Sequence, residues 1–166
     1  MTNESARPRT DATRIERVYD ATPETIWNLW TTPRGIESWW APDGFSVKVE
    51  KLELEPGGEL AYTMTATAPE QVEFMRQAGM PLATRSRKTF TEVKPPTRLA
   101  YLSLVDFVPN HEPYEFLTVV ELKAVDGRVG VVMTVDRMHD DVWTQRLVAG
   151  RNNELDNLGK VIAARG

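Results

Sequence analysis

Arg151 is the residue of this sequence whose type and position most directly suggest chemistry. It lies in a C-terminal segment where apolar residues recur every three or four positions, as on one face of a helix. A guanidinium on such a face needs a partner, because an unpaired buried charge is very costly. Its planar group can bind a carboxylate through two hydrogen bonds. We therefore predict that Arg151 anchors the polar or acidic end of a ligand.

Two alternative environments for the Arg151 side chain remain open. The guanidinium could pair with an internal acid such as Glu121 or Asp136. It could also reach water with its tip while its methylene groups stay buried. These two environments together are more common than a ligand contact for an arginine in an apolar stripe. The proposed ligand anchor is therefore a hypothesis about the direction of the Arg151 side chain.

Hydroxyl and aromatic side chains on the predicted strands could complete a ligand pocket. Ligand sites are mostly apolar with a few placed polar groups, which the hydroxyls of Tyr62, Tyr101 and Ser103 would supply. Tyrosines with a buried ring and a hydroxyl in water are also common. Trp40, close to Pro42, is the candidate for the cavity entrance. The predicted ligand-binding residues are Trp40, Tyr62, Met64, Tyr101, Ser103, Val105, Met133, Trp143, Leu147, Arg151 and Leu155.

Other catalytic centres find little support in the sequence. The chain has no cysteine, which excludes thiolate nucleophiles and cysteine-ligated metals. His111 and His139 lack the spacing of metal ligands, so we predict no metal and no cofactor. No nucleophile motif is present, and Glu121 or Asp136 would serve as a general base only if it pointed inward. No catalytic residue can be named.

Charge and hydropathy limit the partners. The net charge is -4, which argues against nucleic acid, and we interpret the basic cluster of Arg85, Arg87 and Lys88 as a solvated strand face. No apolar run approaches the ~20 residues that cross a bilayer. The first twelve residues are polar and resemble no secretory signal, so we predict a flexible tail over 1–12, a single domain over 13–166 and a cytoplasmic location.

The periodicity of the chain predicts an α+β fold. Apolar residues alternate with polar ones in several segments, whereas others carry helical spacing with capping residues at their starts. The predicted strands are Thr13–Tyr19, two segments from Phe45 and around Leu60, Arg85–Val93, Leu99–Phe107, Tyr114–Val125 and Val129–Met138. The predicted helices start at Thr22, Arg34, Pro69 and Asp140. We expect a curved antiparallel sheet of about six or seven strands wrapped around the long C-terminal helix, with two short helices after the first strand.

Four short motifs then resemble those of a known family in order and spacing. They are Ala21-Thr22-Pro23 leading to Ile26-Trp27 and Thr32-Pro33; Trp39-Trp40-Ala41-Pro42 before Gly44-Phe45; Glu55-Pro56-Gly57-Gly58; and the segment from Glu92 to Leu99. Over about residues 13–163 the chain resembles the START-like (SRPBCC, helix-grip) superfamily, and within it the heat-shock-protein-90 ATPase activator homologue (AHSA1-like) family. The resemblance implies a helix-grip fold with a hydrophobic cavity, but fold alone does not imply a reaction.

Three departures from the family pattern affect the predicted cavity. Gly150-Arg151 stands where the family usually has Gly-Trp, and Ser103 ends a strand that commonly ends in Trp. The small Ser103 should enlarge the cavity. The segment from Ala66 to Leu82 replaces a short connection. Its predicted helix could form a lid, for which the candidate contacts are Phe74, Met75 and Met80.

Three functions remain open at this point. The first is binding of a small apolar or amphipathic molecule in the cavity. The second is an enzyme of the cyclase or hydrolase kind that uses the same pocket. The third, implied by the resemblance, is activation of a chaperone ATPase, with a chaperone as partner. Exposed sheet edges would also allow a homodimer.

Overall fold

The sheet has seven antiparallel strands in the order β1-β7-β6-β5-β4-β3-β2 in the computed structural model, which describes residues 11–165. The strands are β1 Thr13–Tyr19, β2 Phe45–Leu52, β3 Glu59–Ala66, β4 Ala83–Lys94, β5 Arg98–Val105, β6 Tyr114–Val125 and β7 Arg128–Val135. The helices are α1 Pro23–Thr31, α2 Pro33–Trp39, α3 Pro69–Gln77 and α4 Asp141–Arg165.

This architecture confirms the predicted α+β helix-grip fold. The main differences lie at strand ends: β4 begins at Ala83 rather than Arg85, and β5 ends at Val105 rather than Phe107. Residues 1–10 of the predicted tail lie outside the described residues. The division into a tail and one domain therefore stays a prediction, as does the homodimer at the sheet edges β1 and β2.

Helices α1 and α2 begin where the sequence places capping residues. Thr22 and Thr32 each accept a hydrogen bond from the backbone amide three residues later, at 3.1 Å in both cases. Pro23 and Pro33 occupy the first helical positions, where the missing amide hydrogen has no consequence. A side chain at Gly35 would lie 2.6 Å from the Asn28 carbonyl oxygen, so glycine lets the two helices pack closely.

An aromatic cluster fills the core between α1, α2 and the sheet. The Trp39 ring centroid lies 4.7 Å from that of Trp30 and 5.1 Å from that of Trp40. The Trp40 ring in turn lies 6.1 Å from the rings of both Tyr62 and Tyr101. These spacings are typical of interacting aromatic pairs. Short helices and sheet are thereby joined in one core.

Helix α4 lies against the sheet, but the two ends of its apolar stripe are not equally buried. Leu155, Leu158 and Ile162 are buried, whereas Trp143 and Leu147 near its start are only half-buried. The Tyr19 hydroxyl donates to the Leu155 carbonyl oxygen at 2.7 Å and fixes the C-terminal half of α4 to β1. The N-terminal half lies over a cavity. None of the described helices is sufficiently long and apolar to span a membrane.

Candidate functional site

A cavity of about 270 Å³ lies between the N-terminal half of α4 and strands β3, β4, β5 and β6. Strand alternation directs side chains of these four strands into it, and the helical repeat directs those of α4. Six of the predicted ligand-binding residues line the cavity, namely Tyr62, Ser103, Val105, Trp143, Leu147 and Arg151. Residues far apart in sequence thus meet at one site.

The other predicted ligand-binding residues do not line the cavity. Trp40, Tyr101, Met133 and Leu155 are almost completely buried in the core, and Met64 is half-buried on β3. The prediction that Trp40 lies at the entrance is wrong, because its ring belongs to the aromatic cluster beneath the cavity. The sequence around Trp40 contains no pattern that would have predicted such deep burial.

The predicted lid helix is also in the wrong place. Phe74 and Met80 are 61% and 50% exposed, Met75 is buried, and none of the three lines the cavity. The start of α3 is held elsewhere, because the Gly44 carbonyl oxygen accepts the backbone amides of Thr67 at 2.8 Å and Ala68 at 3.1 Å. Helix α3 therefore covers the region near the start of β2 rather than the site.

Lys88 is a buried charged residue of the cavity wall that the sequence analysis missed. Its side chain is only 6% exposed and lines the cavity, so its interpretation as part of a solvated face is wrong. The neighbouring Arg85 and Arg87 are exposed and pair with Glu50 and Glu59. A signal was available: Lys88 lies two residues before the buried Phe90, and alternate residues of a strand share a face.

The amine of Lys88 lies among aromatic rings. Its Nζ atom is 5.9 Å from the ring centroids of Trp40 and Tyr62 and 5.5 Å from that of Tyr101. These distances allow cation–π attraction. Its hydrogen-bond partner is Ser103, whose hydroxyl oxygen accepts from Nζ at 2.8 Å. Among the residues that the structure describes, no carboxylate lies within ion-pair distance of this amine.

Burial therefore governs the ionisation of Lys88. Loss of hydration, reinforced by the Arg151 charge, lowers the pKa of Lys88 to about 7, although Glu154 works in the opposite direction. Burial also raises the pKa of the Tyr62 and Tyr101 hydroxyls, to about 12 for Tyr101. At neutral pH both phenols next to the amine are therefore protonated, and Lys88 is close to the midpoint of its titration.

Arg151 lies inside the protein at the cavity wall. Its side chain is 4% exposed, so it does not extend to water. One terminal nitrogen lies 3.3 Å from both carboxylate oxygens of Glu154, and the other donates to the Thr118 hydroxyl at 3.3 Å. Burial is the strongest single influence and acts to lower the pKa of Arg151, but Glu154, with smaller contributions from Tyr101 and Tyr62, outweighs it and the pKa is raised. The guanidinium stays charged.

The acid beside Arg151 is not one that the sequence analysis named. Glu154 lies three residues further along the same helix face, a spacing at which side chains meet. Glu121 instead accepts from Arg98 at 2.8 Å, and Asp136 is buried after the end of β7. The Nε atom of Arg151 is buried and has no hydrogen-bond partner among residues 11–165. One buried donor of this cavity-lining residue is therefore unsatisfied.

The charged residues of the cavity wall share one sign. Lys88 and Arg151 lie inside, and Arg87 and Arg146 lie at the exposed rim. The Arg146 guanidinium stacks 5.1 Å from the Trp143 ring. No aspartate or glutamate of the described chain lines the cavity. The wall is cationic in a protein whose net charge is -4.

Comparison with known proteins identifies the family. Residues 20–163 match the family model described as Activator of Hsp90 ATPase homolog 1-like protein. The chain belongs to this family. AHSA1-like structures share its fold: an AHSA1-like protein from Aeromonas hydrophila is 23% identical, with a TM-score of 0.73, covering 93% of this chain and 94% of the other. The AHSA1 protein from Silicibacter pomeroyi is 18% identical, with a TM-score of 0.73 and coverage of 93% and 99%.

A protein from Arthrobacter aurescens shows the same likeness, at 20% identity, a TM-score of 0.74 and coverage of 96% and 92%. A search of curated proteins finds no match. At such identities the likeness establishes the fold alone. Of the three departures from the AHSA1-like pattern, Arg151 and Ser103 lie on the cavity wall, whereas the inserted helix α3 does not. Two of the three departures expected from the resemblance therefore lie at the cavity.

Proposed function

We propose that this protein binds a small amphipathic anion, with the acidic end near Lys88 and Arg151 and the apolar body against the remaining wall. The observation that carries the proposal is the sign of the cavity's charges, all of which are positive. A cationic wall in an acidic protein attracts anions locally against the net field. A carboxylate is the group that matches it.

The two buried cations, Arg151 and Lys88, differ in whether they already have a counter-charge that a ligand would otherwise supply. Arg151 already has Glu154, but its Nε atom lacks an acceptor. Lys88 has a neutral hydroxyl as its hydrogen-bond acceptor. A buried charge without a counter-charge is unfavourable, so a ligand carboxylate would stabilise the protonated amine. Because the pKa of Lys88 is lowered to about 7, an anion would raise it and binding would take up a proton near neutral pH.

The remainder of the wall suits a compact apolar group. Phe107, Phe116, Met138, Trp143 and Leu147 supply most of it. The volume of about 270 Å³ lies just below the usual range for ligand pockets. It exceeds a cavity of about 150 Å³ that holds benzene in another protein. A ring carrying a short acidic chain is therefore a ligand of suitable size.

Calorimetric titration with phenylpropanoate and phenylpropanol tests this proposal at pH 6. We expect the acid to bind at least about tenfold more tightly than the alcohol, because hydrogen bonds to charged groups are worth about 1.5–3 kcal/mol. Lys88→Met should remove most of this preference. The control Lys48→Met, at a side chain that is 80% exposed, should retain it.

Two results would count against the proposal in different ways. If the alcohol bound as tightly as the acid, the cations would not act as an anchor. If neither compound bound, the cavity would not be a site for small amphipathic molecules.

A second candidate function rests on the family match, whose description names activation of the Hsp90 ATPase. An assay of the ATPase of the host's own Hsp90 tests it. Stimulation that saturates with this protein and survives Lys88→Met would assign the activity to a surface rather than the cavity. The cyclase or hydrolase alternative has less support, because neither Glu121 nor Asp136 lines the cavity to act as its base.

A further inference from the structure

Lys88 presents a buried primary amine to a cavity that opens to solvent. Its Nζ atom contacts the Ser103 hydroxyl and three aromatic rings, and the described residues place no carboxylate against it. An amine held in an ion pair is locked in its protonated form. Since this amine has no such pair, it can lose its proton without leaving a buried carboxylate behind. The lone pair is then available for reaction.

We propose that Lys88 is a nucleophile that forms a reversible imine with an aldehyde or ketone bound in the cavity. This inference rests on the proposed function only in that the cavity must admit a small molecule with an apolar body. It adds a covalent step and a ligand class, carbonyl compounds. Arg151 could hold an acidic group on the same molecule.

The reaction balances without an oxidant or reductant. The neutral amine attacks the carbonyl carbon and forms a C–N bond, while the carbonyl electron pair moves to oxygen. The oxygen takes up the proton that the nitrogen releases, which gives a carbinolamine. A proton from solvent then allows this hydroxyl to leave as water, and the nitrogen lone pair forms the C=N bond. The products are a protonated imine and one water molecule.

The surroundings of Lys88 favour the reactive neutral form. Burial, followed by the cation of Arg151, lowers the pKa of Lys88 to about 7. A desolvated lysine next to another cation is a recognised arrangement for an amine nucleophile. The other charged or titratable groups near it are Glu154 on α4, which raises its pKa, and the protonated phenols of Tyr62 and Tyr101. The Ser103 hydroxyl, 2.8 Å from the nitrogen, can donate to the oxygen that leaves.

Reductive trapping with phenylpropanal and sodium cyanoborohydride at pH 7 tests the inference. Hydride from the reagent reduces the imine to a stable secondary amine, so the protein gains the mass of the aldehyde less one oxygen atom. At this pH about half of Lys88 is neutral, against roughly one in 2,500 of an ordinary surface lysine. We expect peptide mapping to place the main adduct on Lys88. The Lys48→Met control should retain it and Lys88→Met should lose it.

The pH profile of trapping gives a readout that needs no variant. Adduct formation at Lys88 should be half-maximal near pH 7, well below the range near pH 10 in which lysine ordinarily loses its proton. An adduct spread evenly over the exposed lysines, with none in excess on Lys88, would overturn the inference.

Binding and adduct formation, measured side by side, distinguish failure of the imine proposal from failure of the proposed binding function. If phenylpropanoate binds more tightly than phenylpropanol but no adduct forms at Lys88, the imine is refuted and the binding function stands. If none of the compounds binds and no adduct forms, both are refuted.

Discussion

Replacing Lys88 with methionine should increase the free energy of unfolding by about 1–4 kcal/mol at pH 6, because the change removes a buried charge without a counter-ion and retains an apolar chain of similar length. The Lys88 side chain is 6% exposed and its amine lies among Trp40, Tyr62 and Tyr101. Urea unfolding of both proteins measures the difference. The exposed Lys48→Met variant should change stability far less.

The effect of Lys88→Met should also depend on pH. In the unfolded chain lysine ionises near pH 10, whereas in the folded protein the pKa of Lys88 is lowered to about 7. Between these values the unfolded state binds more protons, so the native protein gains stability as pH rises through this window. The advantage of the methionine variant should therefore shrink by about 2 kcal/mol between pH 7 and pH 9.

Comparing the variant with the native protein removes the contributions of other titrating groups. The charged neighbours of Lys88, Arg151 and Glu154, are present in both proteins. Parallel pH profiles for the two proteins would mean that the amine is hydrated, and would contradict its burial in the cavity.

Arg151→Met should have the opposite effect and destabilise the protein by about 3 kcal/mol, the usual result of removing one partner of a buried ion pair. Glu154 would lose its guanidinium partner, and the Thr118 hydroxyl would lose the nitrogen 3.3 Å away. Chemical unfolding at pH 7 gives the magnitude. The double variant Arg151→Met, Glu154→Met should recover most of the loss, because it removes both charges together.

The Arg151→Met variant should also change the titration of Lys88, which can be measured independently. Arg151 lowers the pKa of Lys88 and Glu154 raises it. Removing the arginine alone should therefore move the titration of Lys88 to higher pH, visible in the pH dependence of unfolding. A neutral Arg151→Met, with no movement of that titration, would show that the guanidinium is not coupled to the site.

Local patterns in the sequence predicted the fold because each element carries its own periodicity. Thr22-Pro23 and Thr32-Pro33 mark two helix starts, and the apolar repeat of α4 spans its whole length. Arg151 was found for the same reason, since one charge interrupts a regular stripe. Its partner Glu154 could have been found too, because a spacing of three residues on a helix brings side chains together.

Lys88 was missed because it was grouped with its sequence neighbours instead of its strand face. Arg85 and Arg87 point outward, whereas Lys88 shares a face with Phe90. The position of α3 was unpredictable for another reason. Its short apolar face could pack against several surfaces, and the hydrogen bonds from its start to the distant Gly44 carry no signal in the local sequence.

The unequal burial of α4 has a consequence for how the molecule holds together. The C-terminal turns of α4 pack against the core through the buried side chains of Leu155, Leu158 and Ile162. The first turns, with Trp143 and Leu147, rest over open volume. A ligand bound in that volume would pack against the first turns of α4, where the cavity lies between the helix and the sheet. Ligand binding and the ordering of the N-terminal half of α4 would then be thermodynamically coupled.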